Sequence, residues 1–113
     1  MKSVPRSRVR ITVLKRVEPE YIFDGEVPLS PTGEKYTVCT AFEDGQEFIL
    51  EKDNKRPEGF CPWAFHDIFK DAHILMFGGN FTPWTPEGTQ ITCCSDGIRP
   101  VSFKLERMDE LPR

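Results

Sequence analysis

A chain of 113 residues with 38% apolar and 29% charged side chains is sized for one compact domain, and thirteen aromatics (nine Phe, two Tyr, two Trp) supply bulky core material that excludes wholesale disorder. A formal charge of −3 offers no basic field for nucleic acid. No apolar run approaches the ~18–20 residues of a membrane span and no apolar secretory segment is found at the start, so the expectation is a cytoplasmic protein. Ten prolines and eight glycines exclude a long helical bundle in favour of short elements joined by turns.

Residues 1–7 read as a loose lead-in. Residues 8–16 alternate, with Val9, Ile11 and Val13 on one side and charges largely on the other, the two-residue period of a half-buried strand. The six basic residues between Lys2 and Arg16 (Lys2, Arg6, Arg8, Arg10, Lys15, Arg16) read as a solvated strand face and tail in preference to a local phosphate contact. Residues 17–35 carry three prolines and two glycines. An irregular stretch of that length is unusual inside a small domain, which marks it as an insertion, a lid or an oligomer contact.

The β-formers of residues 36–42 predict a second strand, with Tyr36, Val38, Thr40 and Phe42 on one face and Cys39 on the other. The Asp44-Gly45 pair suits a hairpin turn, with residues 47–51 as the returning partner. From Pro62 to about Ala72 the spacing of Phe65, Ile68, Phe69 and Ala72 is helical. Residues 74–77 read as a buried strand or the helix end, stopped by Gly78-Gly79-Asn80. An aromatic loop carrying Trp84 follows, then strands over residues 90–94 and 101–107, and a tail over 109–113. The order predicts an α+β fold of residues 1–113: a small, mostly antiparallel curved sheet, or partly closed barrel, covered by one main helix. Exposed strand edges and a small core predict a homo-oligomer.

The chemistry-bearing residues are chiefly thiols. Pro62 suits the first helical position, which places Cys61 at the helix cap, where unpaired N–H groups and the dipole favour a thiolate. Cys61 is thus a candidate nucleophile or redox thiol, with His66 as an acid or base if the chain brings it close; the bland reading is a small capping residue. Cys39, Cys61, Cys93, Cys94 and His66 are candidate ligands for zinc or iron. No Cys-x-x-Cys pair supports that set, Cys93 and Cys94 point to opposite faces of a regular strand, and buried structural cysteine is the alternative. In a reducing compartment the even cysteine count is weak support for disulfides. Trp63 and Trp84 can wall a pocket, with Arg99 and the turn at Asp96 offering polar contacts to a small metabolite. Against that stand aromatics that complete a core and an Arg99 that merely pairs with Asp96. His73 reads as a helix-end cation.

The pieces 9–15, Gly45-Gln46-Glu47-Phe48, Pro57-Glu58-Gly59-Phe60-Cys61-Pro62-Trp63-Ala64, Gly78-Gly79 and Cys93-Cys94-Ser95-Asp96-Gly97, followed by residues 99–106, resemble a family of short bacterial and archaeal proteins of unknown function. The resemblance extends over nearly all of the chain from Val9 onward, with residues 17–35 as an addition. It implies one compact domain and supplies no activity, cofactor or catalytic residue. The functional expectation is a binding module whose thiol- and aromatic-lined pocket takes a metal ion or small metabolite. The alternatives are a small enzyme using Cys61 and a structural accessory subunit of a larger enzyme.

Overall fold

The computed structural model describes residues 4–112. Its elements are β1 (Val9–Arg16), α1 (Pro19–Ile22), β2 (Glu47–Leu50), α2 (Pro62–Met76), β3 (Thr89–Cys93) and β4 (Val101–Arg107). The four strands form one open antiparallel sheet in the order β2-β1-β4-β3. The fold is α+β, with α2 as the main helix packed on β1, β3 and β4. The sheet does not close into a barrel.

Alternation decides which side of the sheet is buried. Ile11 and Val13 of β1 stand opposite Leu105 and Phe103 of β4, and these four are fully buried together with Val9. They meet Ala64, Ile68, Ala72 and Leu75 of α2, which recur at helical spacings and are equally buried. Two layers with one core between them result.

The predicted end of α2 falls where two glycines begin. Gly78 has φ +93°, a conformation that costs a residue with a Cβ. Gly79 N–H donates to Ile74 C=O at 2.8 Å and Gly78 N–H to Leu75 C=O at 3.1 Å. This paired closure satisfies the last helical carbonyls. A Cβ on Gly79 would stand 2.7 Å from Ile74 Cγ2, so the second glycine is required by close approach. Residues 74–77, for which a strand was one of two readings, are therefore the helix end.

Residues 36–42 are not a strand, and β2 does not return along them. The turn at Asp44-Gly45 forms, with Gln46 N–H donating to Glu43 C=O, but β2 pairs with β1, Val9 opposite Leu50 and Thr12 opposite Glu47. With β4 on its other side, β1 has no edge left for a further strand. Residues 17–35 contain α1, a tight turn closed by the isolated bridge Leu29–Lys35, and the ion pair of Lys35 Nζ with Glu20 Oε1 at 3.1 Å.

Met1–Ser3 and Arg113 of the expected loose ends lie outside the described residues. At the inner margins of those stretches Ser7 and Asp109 are tied to each other and to the body of the fold. Ser7 is buried, its N–H donates to Met76 C=O, and its Oγ accepts the N–H of Asp109 at 2.8 Å. The Asp109 carboxylate accepts from the Arg8 N–H at 3.0 Å and from the Arg8 guanidinium at 3.0 and 3.2 Å. These hydrogen bonds from Arg8 hold the Asp109 carboxyl well below the usual carboxylate range. A depressed folded-state pKa means that this stabilisation is complete above the ordinary Asp range and fades as pH falls through it. Asp109→Asn should therefore melt lower than the parent at neutral pH, with the gap closing on acidification. Thermal unfolding across pH checks this, and a gap that widens toward acid refutes it.

The β3 edge, part of the basis for expecting a second copy, is partly occupied by its own chain. Gln90, buried opposite Leu105, turns its Oε1 back to accept the Ile91 N–H at 3.1 Å, while Thr85 Oγ donates to Thr89 C=O at 2.7 Å. Side chains thus occupy backbone groups that an incoming strand would use.

Candidate functional site

Three stretches far apart in sequence meet at one end of the sheet. The 39–42 loop, the start of α2 and the turn between β3 and β4 enclose a cavity of about 540 Å³. Cys39, Cys61 and Cys94 all line it, one from each stretch, together with Trp63, Asp96 and Arg99. Phe42, Ala64 and Val101 contribute buried apolar wall.

A bulge in β1 holds the first wall in place. The ladder runs Val13–Phe103, then skips Leu14 and resumes at Lys15–Ser102 and Arg16–Val101. Residues opposite each other share a face, so the skipped residue brings Arg16, rather than Lys15, to the helix side beside Val101. From there its guanidinium donates to Cys39 C=O at 3.1 Å and to Asp44 Oδ1 at 3.1 Å, and its N–H donates to the same oxygen at 2.9 Å. The Arg16 hydrogen bonds keep the Asp44 carboxyl below its usual range. The same clamp fixes residues 36–42 as a loop, so that Cys39, Thr40, Ala41 and Phe42 all reach the cavity.

The second wall is the start of α2. Cys61 is the N-cap with Pro62 after it, and its side chain makes no capping hydrogen bond. The thiol is half-buried against the core and lines the cavity. Trp63 projects at the rim, 69% exposed, with its indole N–H donated to Ser95 Oγ at 2.8 Å. Asp67, one turn further along α2, accepts the Ser95 N–H at 2.8 Å. Helix start and strand turn are thereby tied together across the cavity mouth.

The third wall is residues 94–99. Asp96 Oδ1 accepts the N–H groups of Ile98 and Arg99 at 2.9 and 3.0 Å, and its Oδ2 accepts Arg99 Nε at 3.3 Å. Burial raises the Asp96 carboxyl, but the Arg99 and Ile98 N–H groups and the Arg99 charge outweigh it, and the net direction is down. Arg99 also lies over the Tyr36 ring, 5.6 Å from its centroid, a cation–π contact that helps hold the guanidinium. Cys94 is buried, and its Sγ accepts the Val101 N–H at 3.3 Å. Burial pushes the Cys94 thiol up, so it stays protonated at neutral pH.

Three candidates stand outside the cavity. Cys93 is exposed, because adjacent strand residues point to opposite faces. His66 is exposed on α2 and does not line the cavity. Trp84 is 82% exposed in the loop after α2. Among the described residues no group of three or more His, Cys, Asp or Glu is placed to hold a metal ion, and all four cysteines are free thiols. No residue of 17–35 contributes to the cavity wall. His73 does lie in the last turn of α2, with Nδ1 2.6 Å from Phe69 C=O.

Arg16, the 40–42 wall and Ser95 were not anticipated from sequence. The available signal for the bulge was Leu14, an apolar residue on the charged side of an otherwise regular alternation.

No family model, no curated protein and no solved structure matches the chain. Among the described residues no helix is long and apolar enough to cross a membrane.

Proposed function

We propose that this protein binds a small, largely apolar metabolite in the cavity between the 39–42 loop, the start of α2 and the β3–β4 turn. The observation that carries the reading is the gathering of Cys39, Cys61 and Cys94 with Trp63 around one opening of about 540 Å³. That size is within the usual range for small-molecule pockets, and apolar walls with a few polar groups at the rim are their usual construction. The metal-ion branch is not part of the proposal, since among the described residues no three His, Cys, Asp or Glu side chains are placed to hold an ion. The resemblance to short bacterial and archaeal proteins is compatible with the reading and adds no ligand to it.

A second reading, Cys61 as a nucleophile, is favoured by one feature: the thiol sits at the start of a 15-residue helix, unspent on capping and facing the cavity. It lacks a histidine partner among the lining residues.

Iodoacetamide labelling followed by peptide mass spectrometry tests both. Cys94 should label slowest, being buried with its thiol pushed up. Saturating 3-phenylpropanamide, a neutral apolar probe, should slow Cys39 and Cys61 at least threefold and leave exposed Cys93 unchanged. Equal slowing of Cys93, or no slowing anywhere, removes the binding reading. A Cys61 rate no faster than that of Cys93 removes the nucleophile reading.

A further inference from the structure

Among the described residues the cavity wall has one cation, Arg99, and its surroundings define what it can pair with. Arg99 lines the wall and is held on two sides, by Asp96 Oδ2 at Nε and by the Tyr36 ring. Among the described residues its terminal nitrogens donate no hydrogen bond, while the guanidinium as a whole is ion-paired with Asp96 through Nε. A guanidinium fixed at Nε with its terminal N–H groups unspent is prepared for a planar, two-oxygen acceptor.

The remaining wall sets the rest of the ligand. Phe42, Ala64, Cys94 and Val101 are buried and offer apolar surface, which an aliphatic or aromatic body fits. Among the described residues no lysine and no second arginine lines the cavity. Asp96 contributes one fixed negative charge, and its oxygens already accept three donors. A doubly charged phosphate would meet one cation and one anion, and gain little. A singly charged carboxylate meets the same two charges, but Asp96 repels it about half as strongly as a dianion, and its two oxygens match the terminal nitrogens of one guanidinium. An ammonium finds its natural partner, Asp96, already engaged.

We propose that the cavity takes a small organic monocarboxylate, its apolar body against Phe42, Ala64, Cys94 and Val101 and its carboxylate paired with the terminal nitrogens of Arg99. This rests on the small-molecule reading above and narrows it to a ligand class. The rim fits the same ligand: the Trp63 indole, tied to Ser95, stands beside the opening as an aromatic wall.

The chain has two tryptophans, so two indole N–H signals report from one inside and one outside site in ¹⁵N-labelled protein. Titration with 3-phenylpropanoate and, separately, with its neutral isostere 3-phenylpropanamide should move the Trp63 signal and leave that of Trp84 in place. The carboxylate should bind at least tenfold tighter than the amide. Arg99→Gln should remove that preference, read as the ratio of the two affinities within the variant, and Arg99→Lys should keep part of it, because charge without the planar fork retains only the Coulombic share. Equal affinity for the two probes, or a preference that survives Arg99→Gln, overturns the carboxylate assignment and leaves the pocket reading standing. If neither probe moves the Trp63 signal, both fall.

Discussion

Phe60→Ala should lower the unfolding free energy by about 3–5 kcal/mol, the usual cost of removing a fully buried phenylalanine together with the void it leaves. Phe60 is 1% exposed and immediately precedes Cys61. Its ring touches those of Phe48 at 4.9 Å, Phe42 at 5.0 Å, Phe103 at 5.6 Å and Phe65 at 6.1 Å between centroids, three of the four edge-on. Such arrangements add to area burial, and four neighbours drawn from β2, a loop, β4 and α2 cannot all collapse into the gap. Against a typical total of about 5–15 kcal/mol for a domain, the loss is a large fraction. Phe60→Leu, which keeps most of the volume, should cost about 1–1.5 kcal/mol. Denaturant unfolding of both variants checks this; a Phe60→Ala loss below about 1 kcal/mol contradicts the packing. Phe42 both packs on Phe60 and lines the cavity, so Phe60→Ala should also weaken the protection of Cys61 by the neutral probe.

The elements legible in the sequence were those whose own periodicity meets a ready partner. β4 and the β1 segment ahead of its bulge alternate, and each strand lies in the middle of the sheet with neighbours on both sides. The α2 pattern and its Gly78-Gly79 stop are both local signals, and both appear in the fold. Residues 36–42 alternate just as well and end at a genuine Asp-Gly turn, but alternation describes a strand only where an unpaired neighbour exists. Here β2 takes the place beside β1, and Arg16 seizes the carbonyl of Cys39 and the carboxylate of Asp44. That competition is between distant segments and is invisible to a local pattern.

The site divides on the same line. The opposed directions of Cys93 and Cys94 follow from strand geometry alone, and the structure places one thiol outside and one in the core. The distance of His66 from the helix cap follows likewise from the rise of a helix. What the sequence could not supply is which loops approach the start of α2. The clamp between Arg16 and the 39–44 segment is nonlocal, as is the tie of Trp63 and Asp67 to Ser95. Treating Cys39 as a member of a regular strand sets it on the face opposite Phe42, whereas the loop turns both toward the same cavity.

Arg107→Met should cost about 2 kcal/mol, the scale of losing charge-assisted hydrogen bonds that are only partly shielded from water. The Arg107 guanidinium donates to Leu75 C=O at 3.1 Å, Gly79 C=O at 2.7 Å and Asn80 Oδ1 at 2.7 Å. Asn80 Oδ1 also accepts the Gly88 N–H at 2.8 Å, so one side chain of β4 secures the end of α2 and the long loop that leads into β3. The positive charge is also favourably placed at the negative end of the helix. Arg107→Lys should recover less than half, because a compact ammonium cannot reach three separated acceptors. Since Arg107 does not line the cavity of the three thiols, its loss separates stability from binding. Arg107→Met should shift the denaturant midpoint while leaving the labelling order of the cysteines and the affinity for 3-phenylpropanoate within about twofold. A cavity that lost its ligand in step with the midpoint would mean that α2 is positioned from its C-terminal end. The ties of Trp63 and Asp67 to Ser95, and of Arg16 to Cys39, argue instead that the cavity end is braced locally.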